Sequence, residues 1–169
     1  VGWERFTGAQ PNAGHRLLAA LQTEGVASGA VAGITGVITQ NVDGLHQRAG
    51  SPDVLELHGT LSAVVCLACG ATESRESLQA RLAAANPHHR DIVLGGAQVR
   101  PDGDVALDEE TVAAFRTVEC LVCGSDELKP DVVYFGENVP KPRVADAYAM
   151  VDAADGLLVL GSSLKVKIG

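Results

Sequence analysis

The sequence predicts an α/β protein built on a parallel sheet, with a small metal-binding module inserted into it. Short apolar segments of strand length alternate with segments of helical periodicity, which is typical of strand-helix-strand units. Polar residues follow directly on two of these apolar segments, and four cysteines stand as two close pairs in a loop-rich central stretch. Because 46% of its 169 residues are hydrophobic, the chain can bury a core.

The charge balance argues against a nucleic-acid partner. Thirteen Lys and Arg stand against 21 Asp and Glu, giving a net charge of −8, and no basic run occurs in the chain. An acidic surface repels phosphates. The apolar runs are also far shorter than the roughly 20 residues of a membrane-spanning helix, so no membrane partner is expected. We take a monomer as the default oligomeric state.

The first third of the chain predicts one helix and two buried strands. The leucine spacing over Ala13–Glu24 is helical, and Gly25 stands where a C-terminal cap belongs. The β-branched run Thr35–Thr39 predicts a strand, and Asp53–Leu57 predicts a second. Short, continuous apolar strands of this kind are typical of parallel sheets.

The central segment 61–129 differs in character from the sequence on both sides. It carries the cysteines, is richer in loops and polar residues, and contains two predicted helices, Glu73–Ala85 and Asp108–Phe115. We therefore expect a zinc-binding module with a helical insert over 61–129. The remainder, 1–60 and 130–169, forms the larger α/β domain.

The strand and helix pattern resumes after this module. Asp131–Phe135 predicts a strand, and Val144–Ala154 predicts a helix. Gly156–Leu160 is a continuous apolar run that predicts a buried strand. The chain opens at Val1 without Met and stops shortly after this run, so we expect it to be a fragment.

The two cysteine pairs predict a structural zinc site. Cys66-x-x-Cys69 and Cys120-x-x-Cys123 are each followed by a glycine, which allows a tight turn that aims both thiolates at one point. Four thiolates suit tetrahedral Zn²⁺ and leave no position for water. Two redox-active pairs or four unrelated core thiols are the alternatives. The close pairing favours a reducing compartment, either bacterial cytoplasm or mitochondrial matrix.

Polar residues follow both predicted strands of the first third. Gln40, Asn41 and Asp43 come directly after Thr39, where parallel sheets bind ligands. The alternative is that Asn41 and Asp43 only form turns and cap the next helix. His58 ends the second strand and can act as a general base because its pKa lies near neutral pH, although a structural histidine is the alternative.

Two further segments carry weaker signals. Gly161-Ser162-Ser163 follows an apolar run and resembles a turn whose backbone N–H groups approach a phosphate or ribose. Val133–Glu137 is either an ordinary strand end or an edge that pairs with an extended peptide.

Five motifs, in this order, resemble the sirtuin family of NAD-dependent protein-lysine deacylases. They are Thr-Gln-Asn-x-Asp-x-Leu-His at 39–46, Glu-Leu-His-Gly at 56–59, the two cysteine pairs, Lys-Pro-x-Val-Val-x-Phe-Gly-Glu at 129–137 and Gly-Ser-Ser-Leu at 161–164. The resemblance runs from about Pro11 to Leu164. The long insert, with Asn86-Pro87, further resembles class II sirtuins, which include a mitochondrial lipoamidase, deacylase and ADP-ribosyltransferase.

The resemblance implies a Rossmann-like NAD-binding domain with an inserted zinc ribbon. It implies an enzyme that moves an acyl group from a lysine of a protein or peptide to ADP-ribose, with release of nicotinamide from NAD. In this reading His58 is the general base and Asn41 the second catalytic residue. The implied cofactor contacts are Gln40, Asn41, Val42, Asp43, His58, Gly161, Ser162 and Ser163. The implied zinc ligands are Cys66, Cys69, Cys120 and Cys123. The implied peptide edge is Val133, Phe135, Gly136 and Glu137.

Part of the family's pattern lies outside this chain. Its N-terminal Gly-Ala-Gly-x-Ser and Asp-Phe-Arg motifs do not occur in the sequence, so we expect the chain to hold about half of the NAD site and a partial Rossmann-like domain. Mono-ADP-ribosyl transfer at the same site is one alternative function. A non-catalytic zinc-ribbon binding module is the other.

Overall fold

The computed structural model describes Trp3 and residues 7–27, 33–88 and 109–162, and the chain divides into two compact units. The cysteine-bearing unit comprises Val1–Ala9 and Leu61–Asp131, and the α/β unit comprises Gln10–Thr60 and Val132–Gly169. Trp3 contacts the cysteine-bearing unit, since its ring centre lies 5.7 Å from the Arg75 guanidinium carbon.

The α/β unit contains one parallel pair of strands and three described helices. In chain order these elements are α1 (Ala13–Ala27), β1 (Val37–Thr39), α2 (Leu45–Arg48), β2 (Val54–Glu56) and α5 (Lys141–Asp152). The parallel pairing of β1 with β2 aligns Val37 with Val54 and Thr39 with Glu56. Together with the four-cysteine cluster of the other unit, this pairing confirms the predicted fold class.

Helix α1 begins and ends differently from the prediction. Asn12 caps its start, since its Oδ1 accepts the backbone N–H of His15 at 3.1 Å. The expected cap at Gly25 is wrong, because the helix continues through this glycine to Ala27. A glycine inside a helix costs only about 1 kcal/mol, which packing of the helix offsets.

Helix α5 packs beside the start of the parallel pair. A Cβ atom on Gly36 would clash with the terminal methyl group of Met150 and lie 3.2 Å from the Asp53 carboxylate. A larger residue where the chain enters β1 would therefore require the Met150 side chain to move.

The predicted strand Gly156–Leu160 is wrong. The described part of the chain forms no strand there, and the side chains of Leu157, Leu158 and Leu160 are 67%, 71% and 62% exposed. A strand needs a hydrogen-bonded neighbour, and apolar composition alone does not provide one.

The cysteine-bearing unit is built on a three-stranded sheet in the order β4-β3-β5. The strands are β3 (Gly59–Cys66), β4 (Thr72–Ser74) and β5 (Leu128–Val132), and β3 pairs with β4 in antiparallel fashion. Its described helices are α3 (Arg75–Ala85) and α4 (Glu109–Ala114). Val64 and Leu78 form the buried core.

Helix α3 and strand β5 of this unit have bounds that differ from the prediction, and α4 ends one residue earlier than predicted. The helix expected over Glu73–Ala85 begins two residues later, because Ser74 ends β4 and caps α3 by accepting the Ser77 N–H at 3.1 Å. The strand expected over Asp131–Phe135 lies instead at Leu128–Val132, since pairing beside β3 sets its extent. None of the described helices combines the length and apolar character of a membrane span.

Candidate active site and metal centre

Four cysteine sulfurs converge in the cysteine-bearing unit. All four Sγ atoms lie within 4.8 Å of one another. The Sγ atoms of Cys66 and Cys123 are 3.7 Å apart, and those of Cys69 and Cys120 are 3.8 Å apart. A tetrahedron with Zn–S bonds of about 2.3 Å has edges of about 3.8 Å, so the donor set fits zinc. The structure thus positions the four predicted ligands to hold one zinc ion.

Each cysteine pair with its following glycine forms a zinc knuckle, the first at 66–70 and the second at 120–124, and both knuckles use the same backbone turn. The N–H of Gly70 donates to the carbonyl of Cys66 at 2.8 Å, and the N–H of Gly124 donates to the carbonyl of Cys120 at 3.0 Å. Each glycine has φ of 74°, a left-handed conformation that favours glycine. The glycines that follow the two pairs in the sequence are therefore part of the ligand geometry.

The protonation states of the thiols explain why a cation is needed. The backbone N–H groups of Cys123 and Val122 lower the pKa of Cys120 from 9.0 to about 7. The Ser125 N–H lowers the pKa of Cys123, but the neighbouring thiols, led by Cys69, and burial raise it to about 12. The raised pKa of Cys123 opposes its ionisation beside Cys120 near neutral pH, and a bound Zn²⁺ removes this obstacle.

Polar side chains outside the cluster hold the second knuckle against the first. Arg81 on α3 forms an ion pair with Glu73 and donates to the carbonyl of Glu119, the residue before Cys120, at 2.7 Å. Asn86 exchanges hydrogen bonds with the backbone of Arg116 at 2.7 and 2.8 Å. These bonds bring the distant second cysteine pair back to the sheet.

The candidate catalytic residues lie at one edge of the α/β unit. The carbonyl of Thr39, the last residue of β1, accepts the backbone N–H of Leu57 at 2.9 Å. The residues that follow β1 and β2 therefore begin next to each other. Gln40 and Asn41 follow β1 with exposed side chains, and His58 follows β2 half-buried. The structure therefore brings amides and an imidazole to the carboxyl edge of the sheet, where the sequence predicted them.

The loop between β1 and α2 is held by its own side chains. The Thr39 hydroxyl accepts the N–H of Asn41 at 3.1 Å, and Asp43 Oδ1 accepts the N–H of Leu45 at 3.0 Å. Asp43 therefore forms the turn before α2, which was the alternative to a ligand-binding role in the sequence analysis. The same hydrogen bond fixes the direction of the Asp43 carboxylate. Val42 and Asp43 are both half-buried.

Two histidines, His15 on α1 and His46 on α2, are in contact next to this loop. The rings of His15 and His46 lie 4.6 Å apart between centres, and Nδ1 of His46 is buried without a hydrogen bond. Burial lowers the pKa of His46, His15 lowers it further, and Asp43 opposes both. His46 is the last residue of the motif at 39–46, and nothing else in the sequence distinguishes it from a surface histidine.

The peptide-edge candidates begin beside His58. The N–H of Val133 donates to the carbonyl of His58 at 2.9 Å. Phe135, Gly136 and Glu137 then form an exposed turn, in which Glu137 accepts the N–H of Tyr134 at 3.0 Å. Residues 133–137 thus form a loop and a turn after β5, and their pairing with a peptide stays a prediction.

The remaining cofactor candidates follow the apolar run 156–160. Gly161, with φ of 67°, and Ser162 are exposed at the end of the apolar run. Ser163 lies outside the described residues.

The fold and the cysteine site define an α/β protein with a zinc-binding unit of its own. The chain belongs to the Sir2 family, whose profile matches residues 3–168. This confirms the resemblance to sirtuins that the five motifs carry.

Individual relatives agree with this family. The chain is 52% identical to NAD-dependent protein deacetylase 1 of Streptomyces coelicolor over 169 residues, covering 100% of this chain and 53% of that protein. It is 46% identical to the NAD-dependent protein deacylase Sirt4 of Drosophila melanogaster, covering 100% of this chain and 51% of the relative. The chain therefore spans about half the length of the curated relatives it matches.

Solved structures match the fold as well. The structure of Sir2Tm bound to a propionylated peptide has a TM-score of 0.66 and 31% identity, covering 96% of this chain and 53% of the other. The complex of Sir2 with a p53 peptide and NAD+ has a TM-score of 0.65 and 32% identity, covering 96% and 52%.

Proposed function

We propose that the protein is an NAD-dependent protein-lysine deacylase that passes the acyl group to ADP-ribose and releases nicotinamide. The observation that carries this proposal is the parallel pairing of β1 with β2, which sets Asn41 and His58 at one edge of the sheet. The relatives named deacetylase and deacylase support the same activity.

The residue roles follow from the chemistry of the side chains. Gln40, Asn41, Val42 and Asp43 line the nicotinamide and ribose pocket, where exposed amides donate and accept hydrogen bonds. NAD is the co-substrate, and it supplies the electrophilic ribose carbon. Gly161, Ser162 and Ser163 contact the dinucleotide.

Asn41 and His58 act on the ribose. Loss of neutral nicotinamide leaves a centre of oxocarbenium character, which an ordered ribose and exclusion of water favour more than a strong acid does. Asn41 orients the ribose, and His58 removes a proton from a ribose hydroxyl through a ring nitrogen. A histidine suits this step because its ordinary pKa lies near neutral pH.

The substrate is an acyl-lysine protein or peptide. Val133, Phe135, Gly136 and Glu137 form the edge that pairs with the extended peptide, and its exposure supports this role. The zinc ion held by Cys66, Cys69, Cys120 and Cys123 is structural, because four sulfurs fill its coordination sphere.

The domain organisation and location complete the proposal. We assign 1–60 and 130–169 to the NAD-binding domain and 61–129 to the zinc-binding module, which the two compact units support except at the first nine residues. The bacterial cytoplasm is the proposed location, since the thiol set needs reducing conditions.

The experiment is nicotinamide release from NAD by the protein at its full length, with and without acetyl-, succinyl-, lipoyl- and longer acyl-lysine peptides. We expect release that depends on peptide, with O-acyl-ADP-ribose as the second product. Radiolabelled ADP-ribose retained on a target protein would instead establish mono-ADP-ribosyl transfer. Bound zinc without any nicotinamide release would leave only a binding role.

A further inference from the structure

Glu56 is a carboxylate at the candidate active site to which the reaction assigns no role. It is the last residue of β2, aligns with Thr39 across the parallel pair and precedes His58 by two residues. Register partners in a sheet project from the same face, so the Glu56 side chain lies on the side of the sheet that carries the Thr39 hydroxyl.

Two neighbours on different elements bind this carboxyl group. The side chains of Gln47 and Thr60 both form hydrogen bonds to Glu56. Gln47 lies in α2, which begins directly after the loop that carries Asn41, and Thr60 lies in β3, two residues after His58. One carboxyl group therefore links the element after the loop to the element after the histidine.

The surroundings of the Glu56 carboxyl group reduce its contribution to the stability of the fold. One of its oxygens, Oε1, is buried and accepts no hydrogen bond. Burial raises the pKa of Glu56 and Asp43 adds to this effect, whereas the hydrogen bonds from Thr60 and Gln47 and the charge of Arg143 on α5 oppose it. A half-buried carboxylate with one buried oxygen that has no hydrogen bond gains less stability from its position than a fully hydrogen-bonded one does. Stability alone does not account for a glutamate here.

We propose that Glu56 is a positioning residue whose carboxyl group fixes the spacing between the Asn41–Asp43 loop and His58. It acts through Gln47, which holds α2, and through Thr60, which holds the start of β3. The role in turnover rests on the function proposed above. A displacement of catalytic groups by about 1 Å can lower the rate about 100-fold, so we expect the link between the loop and the histidine to affect catalysis more than folding.

The experiment compares Glu56→Ala with Glu56→Gln in the protein at its full length. Alanine removes both hydrogen bonds, and we expect kcat for deacylation to fall about tenfold or more. Glutamine keeps an oxygen that accepts both hydrogen bonds, so we expect it to restore kcat to within about threefold of the wild type. Adding Thr60→Val to Glu56→Ala is expected to lower kcat no further, because the link is already lost.

The matched control is Glu76→Ala, which removes an exposed glutamate from the first turn of α3 and is expected to leave kcat unchanged. Two results would overturn the proposal. One is a Glu56→Ala variant that keeps more than about half of the wild-type kcat. The other is a Glu56→Gln variant that is as slow as the alanine variant, which would show that the charge rather than the hydrogen bonds matters.

Amide hydrogen exchange tests, independently of turnover, whether Glu56 restrains the backbone of the loop and of the segment at His58. We expect faster exchange at 41–47 and 57–60 in Glu56→Ala and wild-type exchange in Glu56→Gln. A wild-type protein that releases no nicotinamide would disprove the proposed function, while the exchange data would still decide whether Glu56 fixes the spacing. Unchanged exchange in the alanine variant would disprove that role.

Discussion

Among the described residues, the α/β unit buries polar side chains as well as the apolar Ala19 and Val139, whereas the cysteine-bearing unit buries only apolar and thiol side chains. In the described residues, Val64, Cys66, Leu78 and Cys120 are buried in the cysteine-bearing unit, and all four are apolar or thiol side chains. The buried polar residues Gln22, Thr39 and Ser51 all lie in the α/β unit, and so does the exposed run that contains Leu157 and Leu158.

This difference separates a structural site from a chemical one. Two of the four metal ligands, Cys66 and Cys120, belong to the buried core, and Cys69 and Cys123 are exposed, so zinc and apolar packing stabilise the same unit.

Of the candidate catalytic groups, Asn41 is exposed and His58 is half-buried. Buried polar atoms without a hydrogen bond occur beside them at His46 and Glu56, and in the other unit at Arg81. Unsatisfied polar groups of this kind cost stability and are concentrated at functional sites.

Loss of a zinc ligand is expected to have the largest effect. Cys66→Ser removes one of four thiolates, and structural zinc supplies an apparent free energy of about 10–16 kcal/mol in small zinc domains. We expect metal analysis to show loss of bound zinc. We expect thermal unfolding to show that the cysteine-bearing unit no longer unfolds in a cooperative transition.

The matched control is Leu67→Ser in the same knuckle, where the side chain is 62% exposed and is not a ligand. It should retain zinc. Full zinc content with an unchanged melting curve in Cys66→Ser would contradict the structural role of the metal.

The second effect falls on the polar edge and leaves the core intact. His58→Ala removes the proposed general base, and we expect kcat to fall by about 10²–10⁴. Zinc content and melting temperature should not change, because the half-buried His58 side chain contributes little packing. The comparison is with His88→Ala, an exposed histidine in a turn. Turnover near the wild-type rate in the His58 variant would show that another group is the base.

A smaller effect is expected where side chains hold the second knuckle. Arg81→Ala removes the ion pair to Glu73 and the bond to the Glu119 carbonyl. Hydrogen bonds of charged groups contribute about 2 kcal/mol, so we expect the free energy of unfolding of the cysteine-bearing unit to fall by about that amount.

Denaturant unfolding with zinc bound measures this change. Arg116→Ala is the control, because the hydrogen bonds of Arg116 to Asn86 use its backbone and its side chain is exposed. If both arginine variants unfold at the same denaturant concentration as the wild type, Arg81 does not support the knuckle.

The smallest expected effect is a pH dependence of the α/β unit. Burial and then His15 lower the pKa of His46 below 6.5. The unfolded chain therefore takes up a proton that the folded chain does not bind, so the contribution of His46 to stability is complete above pH 6.5 and is lost as pH falls through the folded-state pKa.

We expect His46→Gln to flatten the decline in melting temperature between about pH 7 and about pH 5. His88→Gln, which changes an exposed histidine, should keep the wild-type slope. A His46→Gln variant with that same slope would rule out the histidine pair as its origin.

Local sequence signals predicted the metal centre well. The Cys-x-x-Cys-Gly pattern specifies a short turn with left-handed Gly70 and Gly124, so the geometry of each knuckle depends on about five residues. The same holds for Ser74, whose capping side chain starts α3. What the sequence did not show is how the second knuckle returns to the first, because Arg81 and Asn86 act on backbone 30 or more residues away.

Two strand predictions were wrong because strand formation depends on hydrogen bonds to a neighbouring strand, which the local sequence does not show. The predicted strand Asp131–Phe135 moved to Leu128–Val132, and the apolar run Gly156–Leu160 formed no strand. Apolar composition predicts that a segment is suited to burial, but hydrogen bonds to a neighbouring strand decide whether it becomes a strand and where it ends.

The sequence by itself determined the class of fold, the four zinc ligands and the polar residues at the strand ends, because each depends on residue type and spacing along a short stretch of chain. Only the tertiary structure decided that Glu56 reaches both Gln47 and Thr60 and that His15 lies against His46. These contacts depend on the register of two parallel strands and on helix packing, which no local pattern encodes.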